Sequence, residues 1–83
     1  MPRALVITRT TVPAAARESY RAALPRRREA FAAARVNFWV FEDPATPGAY
    51  VEFTEARDEA TLSAACRAVD GLPPAPPILR EVE

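Results

Sequence analysis

Two short runs of aromatic and β-branched residues, separated by a turn, restrict the possible folds of this chain more than any other feature. The runs are Val36–Glu42 and Ala49–Thr54, and together they hold five of the seven aromatic residues. Asp43–Gly48 between them contains two prolines and a glycine, a composition typical of turns. The pattern therefore predicts an antiparallel β-hairpin in the middle of the chain.

A strand and a long helix are predicted before the hairpin. Arg3–Val12 is rich in β-branched residues and ends at Pro13, which indicates a first strand. The segment from Ala14 to about Arg35 is rich in alanine, arginine and glutamate, and its large apolar residues fall on one helical stripe. Pro25 lies inside it, so we expect either one bent helix or two abutting pieces.

A second helix and a last strand are predicted after the hairpin. Asp58 suits the N-cap of a helix that continues through Val69, and Gly71 supplies its end. Leu72–Pro77 contains four prolines and predicts a stiff polyproline II connector. Ile78–Glu83 alternates apolar and polar residues, as a fourth strand does.

The resulting order, β-α-β-β-α-β, predicts a single α+β domain over residues 1–83 with a ferredoxin-like fold. We expect a four-stranded antiparallel sheet in the order 4-1-3-2 with both helices on one face. The second strand, which contains Trp39, then lies at one edge of the sheet.

The composition excludes several classes of function. The chain has no histidine and one cysteine, so histidine-based catalysis, a disulfide within the chain and a zinc site are all excluded. We expect no metal and no cofactor. A net charge of +0 disfavours nucleic-acid binding. No apolar run is long enough to span a membrane, and we expect a cytoplasmic protein in which Cys66 stays reduced.

Symmetric pairing across the turn predicts two different faces for the hairpin. One face, suited to packing under the helices, pairs Phe38 with Phe53 and Val40 with Val51. The other face carries three aromatic rings beside polar groups, in the pairs Asn37–Thr54, Trp39–Glu52 and Phe41–Tyr50. A single copy of the chain leaves this second face in water, and such a patch usually marks a contact surface or a small-molecule site.

The element order, the long first helix, Tyr50–Thr54 (YVEFT) and Asp58–Leu62 (DEATL) resemble the dimeric α/β-barrel families. These include the antibiotic-biosynthesis-monooxygenase-like and stress-responsive barrel proteins. The resemblance covers nearly the whole chain and implies a homodimer with a ligand cavity between sheet and helices in each subunit. Some members oxygenate quinols without a cofactor, and others degrade haem. Ala56 and Ala65 stand where monooxygenase-like members often have a tryptophan and a histidine, which argues against histidine-ligated haem degradation.

The resemblance and the hairpin pattern together select the candidate site residues. Asn37, Trp39 and Glu52 are the candidate catalytic residues, with Glu52 as a general base next to Trp39. The candidate ligand-binding residues are Arg9, Phe41, Tyr50 and Arg80. We expect a homodimer that binds a small apolar or aromatic molecule, with cofactor-free oxygenase or isomerase activity as one hypothesis. The alternative for the same residues is a structural role in the core, the interface or a salt bridge.

Two other functions compete with small-molecule binding. A non-catalytic dimer or interaction module of the stress-responsive kind would have a cavity filled by side chains. Ala49–Phe53 also matches the end of the third-strand motif of RNA-recognition domains. Thr46 and Pro47 replace the basic and glycine positions of that motif, and the first strand offers Val6 and Ile7 but no aromatic ring for base stacking.

Overall fold

The computed structural model describes residues 2–83 and contains the predicted elements in the predicted order. They are β1 (Ala4–Thr11), α1 (Arg17–Ala33), β2 (Asn37–Glu42), β3 (Ala49–Ala56), α2 (Glu59–Asp70) and β4 (Leu79–Arg80). A short 3-10 turn, Ala14–Ala16, leads into α1.

The four strands form one antiparallel sheet in the order β2-β3-β1-β4, which is the predicted 4-1-3-2 order read from the other edge. Both helices pack on one face of it. Their contact with the sheet forms the core, whose buried members are Ala4, Val6, Phe31, Val36, Phe38, Ala56, Leu62, Ala65 and Cys66. The predicted α+β class is confirmed, and the arrangement is compatible with a ferredoxin-like fold.

The ends of the helices follow from local chemistry. Asp58 caps α2 by accepting the Thr61 N–H at 2.7 Å, and Gly71 ends that helix with a left-handed φ of 78°, both as predicted. The helix α1 runs unbroken through Pro25, which is exposed, so the backbone carbonyl that loses its partner can bond to water. Of the two predicted alternatives, one helix and two abutting pieces, the structure therefore has the single helix.

The last strand is shorter than predicted. β4 covers Leu79–Arg80, and one further bond joins the Glu81 N–H to the Arg3 carbonyl at 2.8 Å. Continuing the same register would place Val82 opposite Pro2, at the start of the described chain. Val82 is 94% exposed, since nothing in this subunit packs against it.

The predicted register of the hairpin is wrong by one residue. Phe38 pairs with Thr54, Trp39 with Phe53, Val40 with Glu52, Phe41 with Val51 and Glu42 with Tyr50. The turn sets this register, because the Asp43 N–H donates to the Ala49 carbonyl and closes a five-residue loop. Gly48 in that loop has a φ of 89°, and a Cβ there would lie 2.6 Å from the Arg17 guanidinium. Only glycine fits this position without a shift.

Neither helix within residues 2–83 combines the length and the apolar character that a bilayer span requires.

Candidate functional site

Alternation along the strands divides the sheet into two faces. The helix-covered face carries Ala4, Val6, Thr8, Thr10, Phe38, Val40, Tyr50, Glu52, Thr54 and Ala56. The open face carries Leu5, Ile7, Arg9, Thr11, Asn37, Trp39, Phe41, Val51, Phe53, Glu55 and Leu79. The corrected register decides which side chains of β2 and β3 share each face, and hence which can form a site together.

A cavity of about 330 Å³ lies between the helix-covered face and the segment after α2. We call it the helix-side cavity. The sheet contributes Thr8, Thr10 and Thr54, whose hydroxyls can each donate and accept hydrogen bonds. Leu72–Pro76 forms the opposite wall, which is mainly apolar, and the Cys66 thiol also borders the space.

A buried carboxylate forms one end of this cavity. Glu52 is 7% exposed, and its Oε2 accepts the Tyr20 hydroxyl at 2.6 Å and the Arg27 Nη1–H at 3.0 Å. Its Oε1 accepts the Arg27 Nη2–H at 3.3 Å, so the guanidinium binds both oxygens. Arg27 also bonds to Asp70 at the end of α2 and lies over the Phe38 ring, 4.8 Å from its centroid. This network ties α1, β3 and α2 together around the Arg27 guanidinium.

The surroundings fix the protonation of the partners of Glu52. Burial and the hydrogen bond to Glu52 raise the pKa of Tyr20 above its ordinary value, so its phenol keeps its proton. Burial acts to lower the pKa of Arg27, but the hydrogen bond to Glu52 and its charge outweigh this and raise it. As for Tyr20, burial raises the pKa of the Cys66 thiol. The cavity therefore holds a neutral phenol, a charged guanidinium and a protonated thiol.

A second tyrosine lies next to this network. Tyr50 is 4% exposed, and its ring centroid is 4.6 Å from that of Tyr20 at an interplanar angle of 40°. Within residues 2–83, its hydroxyl has no hydrogen-bond partner. Tyr50 thus contributes packing under α1 and leaves one polar atom unpaired in the interior.

The open face carries a second, more apolar hollow of about 390 Å³, the open-face groove. Leu5, Trp39, Phe53 and Leu79 form its walls. Trp39 and Leu79 are 46% and 48% exposed, and Phe41 beside the groove is 59% exposed. No element of the described chain covers this face.

Charged groups close one end of the open-face groove. Arg3 donates to Glu55 at 2.8 Å and to Glu81 at 2.6 Å, and the Asn37 amide donates to Glu55 at 2.8 Å. The hydrogen bonds from Arg3 lower the pKa of Glu81. Asn37 therefore serves to hold Glu55 at the end of the groove.

The structure does not bring the three candidate catalytic residues together. Asn37 and Trp39 lie on the open face, whereas Glu52 points to the helix-covered face. The predicted pairing of Glu52 with Trp39 is wrong, because the turn shifts the register and places Val40 opposite Glu52.

The candidate ligand-binding residues are divided in the same way. Arg9 and Phe41 lie on the open face, and Tyr50 is buried under α1. Arg80 pairs with Ala4 at the edge of the sheet and borders both the open-face groove and a separate hollow at the start of α2. The RNA-motif residues are split as well, since of its two aromatic residues Tyr50 is covered and Phe53 reaches the open face.

Sequence reasoning missed Arg27 as the central member of the buried network. Arg27 follows Tyr20 and Leu24 and precedes Phe31 on the apolar stripe of α1, at helical spacing. An arginine in such a stripe requires an acidic partner beneath the helix. The position of Arg27 on this stripe was the feature of the sequence that could have predicted its pairing with Glu52.

Comparison with known proteins found no match for this chain. No protein-family model, no curated protein and no solved structure matches the chain at a significant level. Residues 2–83 also contain no group of three or more potential ligands that could hold a metal ion. The functional argument therefore depends on the geometry of the two hollows.

Proposed function

We propose that the protein is a cytoplasmic homodimer of the dimeric α/β-barrel type that binds a small, neutral, oxygen-bearing ring compound in the helix-side cavity of each subunit. The observation that carries this proposal is the buried carboxylate of Glu52, held by Tyr20 and Arg27 at one end of an open cavity. Catalysis in that cavity is a further step that the proposal does not require.

The buried ion pair supports a functional role because it adds little stability relative to an apolar pair of the same volume. Moving both charges out of water costs several kcal/mol per ion, and an apolar pair of similar volume is often as stable or more so. Glu52 and Arg27 could be replaced by such a pair if packing were the only demand. Their position beside a cavity instead favours a site where ionisable groups are kept for recognition.

The walls of the cavity suggest the chemistry of the ligand. Its volume of about 330 Å³ suits a small ring compound. Thr8, Thr10 and Thr54 offer hydroxyls to oxygen atoms of the ligand, while the proline-rich wall offers apolar contact. Two carboxylates, Glu52 and Asp70, against one guanidinium leave one net negative charge, which disfavours anions.

The open cavity favours ligand binding over the alternative of a non-catalytic dimer with a filled interior. The protonation of Tyr20 and the occupied oxygens of Glu52 favour binding over proton transfer. A cofactor-free oxygenase or isomerase reaction would require Glu52 to exchange the Tyr20 hydroxyl for a substrate proton. Binding without chemistry is therefore the function that we propose.

The apolar open face supports the homodimer. Its seven large apolar side chains are Leu5, Ile7, Trp39, Phe41, Val51, Phe53 and Leu79. Isolated chains rarely expose contiguous apolar surface of this kind unless it binds something. A second copy that lays its sheet over this face closes the two sheets into a barrel, as in the families that the sequence resembles.

Two measurements test the proposal, and light scattering at micromolar concentration is the first. We expect twice the chain mass of 9.1 kDa. The second is an NMR titration with hydroquinone, a neutral ring with two hydroxyls, and with benzoate, an anionic ring of similar size. Hydroquinone should perturb the amides of Thr8, Thr54 and Cys66, and benzoate should bind more weakly.

A matched pair of variants on one strand locates the site. Thr8→Val removes a hydroxyl from the cavity with little change in shape, and Thr11→Val makes the same change on the open face. Loss of one hydrogen bond should weaken hydroquinone binding on the order of 2- to 10-fold in Thr8→Val only. Equal effects of the two variants, or shifts confined to the open face, would contradict the proposed site.

A further inference from the structure

The open face carries charge at both ends and apolar residues between them. At the start of β1, two carboxylates, Glu55 and Glu81, bind one guanidinium, that of Arg3. These three groups leave one net negative charge, since Arg80, which also borders the groove, pairs with Ala4 and alternates to the helix-covered face. We call this cluster the acidic end of the open face.

Arg9 lies toward the other end of β1 and brings a positive charge. It is exposed, pairs with Val51 in the sheet register, and takes part in none of the ion pairs found among residues 2–83. Asp43 follows β2 at this end, two strands away, and its carboxylate accepts the Ala45 N–H within the turn. Arg9 lies six residue steps of extended chain from Arg3, which corresponds to about 20 Å.

The twofold symmetry of a homodimer limits how two such faces can meet. The same patch serves both subunits, so the axis lies between the sheets, and its two limiting directions run along the strands and across them. An axis along the strands places Arg9 against the partner's Arg9 and one acidic end against the other. An axis across the strands places each Arg9 on the acidic end of the other subunit. Juxtaposed like charges are costly at an interface, whereas complementary ones fix its orientation.

We infer that, in the homodimer proposed above, the two open faces pack with their strands antiparallel across the interface, so that Arg9 of each subunit binds the Glu55–Glu81 end of its partner. The inference rests on the proposed dimer and adds its orientation and its polar contacts. The aromatic centre of the face then lies between two identical ion-pair clusters, an arrangement typical of interfaces with an apolar core and a polar rim.

Charge reversal tests the orientation. Arg9→Glu makes both ends of the open face acidic, and Glu81→Arg makes both ends basic. Each variant alone should dimerise more weakly, with a dissociation constant raised about tenfold at low salt. Equimolar mixing should restore the affinity and give mainly the mixed dimer, because each acidic end then meets a basic one. Native mass spectrometry with one variant labelled with nitrogen-15 counts the three dimer species.

Two controls separate orientation from folding and from nonspecific charge effects. Arg26→Glu makes the same charge change on an exposed position of α1 and should leave the dissociation constant unchanged. Glu81→Arg also removes a partner of Arg3, so Arg9→Glu/Glu81→Arg in one chain provides a second test. This double variant should recover the dimer affinity of the native chain.

The possible failures are distinguishable. A native chain that stays monomeric at micromolar concentration overturns the proposed dimer together with its orientation. A native dimer whose Arg9→Glu and Glu81→Arg variants each bind as tightly as the native chain, and whose double variant binds no more tightly than they do, leaves the dimer in place and overturns the antiparallel orientation. The affinities of the separate variants decide this, because an axis along the strands also brings unlike charges together in the mixed dimer.

Discussion

Phe38 and Trp39 are neighbours in the chain, yet Phe38 is 4% exposed beneath the helices and Trp39 is 46% exposed on the open face. The contrast extends over the whole sheet. The helix-covered face includes Glu52, Thr54 and Thr8, whereas the open face carries more of the large apolar side chains. Apolar content therefore does not identify the face that the chain covers with its own helices. It identifies the face for which a single subunit provides no cover.

The largest effect on the free energy of unfolding should come from truncating Phe38 on the helix-covered face. This ring stacks on Phe31 with centroids 5.0 Å apart, and both side chains are buried. Phe38→Ala should lower the free energy of unfolding by about 3–5 kcal/mol, because it leaves a cavity in the core. Urea denaturation followed by circular dichroism measures this change. Leu72→Ala, at a residue 67% exposed, is the control and should stay within about 0.5 kcal/mol.

The second-largest effect should come from removing the negative charge of Glu52 beneath the helices. Glu52→Gln keeps the shape of the side chain but leaves the Arg27 guanidinium without its closest carboxylate. The loss of unfolding free energy should be about 2–3 kcal/mol, below the 3–5 kcal/mol of a fully buried pair, since Arg27 retains 26% side-chain exposure. Glu52→Gln combined with Arg27→Met should recover part of the loss. Equal stability of the native chain and Glu52→Gln would show that the pair is not desolvated.

Trp39→Ala tests the open face with the same kind of change as Phe38→Ala. Here the loss should appear in association, because no part of the subunit covers the indole. We expect the dimer to weaken by about 2 kcal/mol, as at a central aromatic contact, with little change in the unfolding of the monomer. Sedimentation velocity over a concentration series measures the dissociation constant, and Val82→Ala serves as the exposed control. Weakened folding with unchanged association would reverse the assignment of the two faces.

The smallest effect is that of the Tyr20 hydroxyl. Tyr20→Phe removes one hydrogen bond to Glu52 and should cost about 1 kcal/mol at neutral pH. The pKa of Tyr20 is raised in the folded chain above its ordinary value of 10.0, so the unfolded chain loses this proton first. The stability from Tyr20 is therefore complete below pH 10 and declines as the pH rises beyond it. In Tyr20→Phe, the fall of unfolding free energy above pH 10 should be shallower than in the native chain.

The order of elements and strands could be predicted because local chemistry determines it. The Asp58 cap, the left-handed Gly71 and the apolar stripe of α1 each act within a few residues of sequence. The strand order then follows from a hairpin flanked by two strand–helix units. Dimerisation, the ligand and any reaction stay predictions.

The faces of the hairpin could not be predicted, because one hydrogen bond in the turn decides them. Pairing Phe38 with Phe53 predicts an entirely apolar face that is suited to packing under the helices. The bond from the Asp43 N–H to the Ala49 carbonyl instead opposes Phe38 to Thr54. A shift of one residue in one strand exchanges every partner across the pair. The sequence therefore predicts Glu52 as a candidate site residue, but it does not predict that Glu52 lies beside Arg27.

The proline-rich wall of the helix-side cavity makes its two sides differ in the hydrogen bonds that they can form. Proline has no amide hydrogen, so Pro73, Pro74 and Pro76 can present carbonyl oxygens and ring carbons but cannot donate a backbone hydrogen bond. Leu72 and Ala75 keep the two amide hydrogens of this wall, and the side-chain donors come from the other side, where the threonine hydroxyls of the sheet lie. A molecule with a donor at one end and an acceptor at the other is thus favoured in a single orientation, with its acceptor toward the sheet.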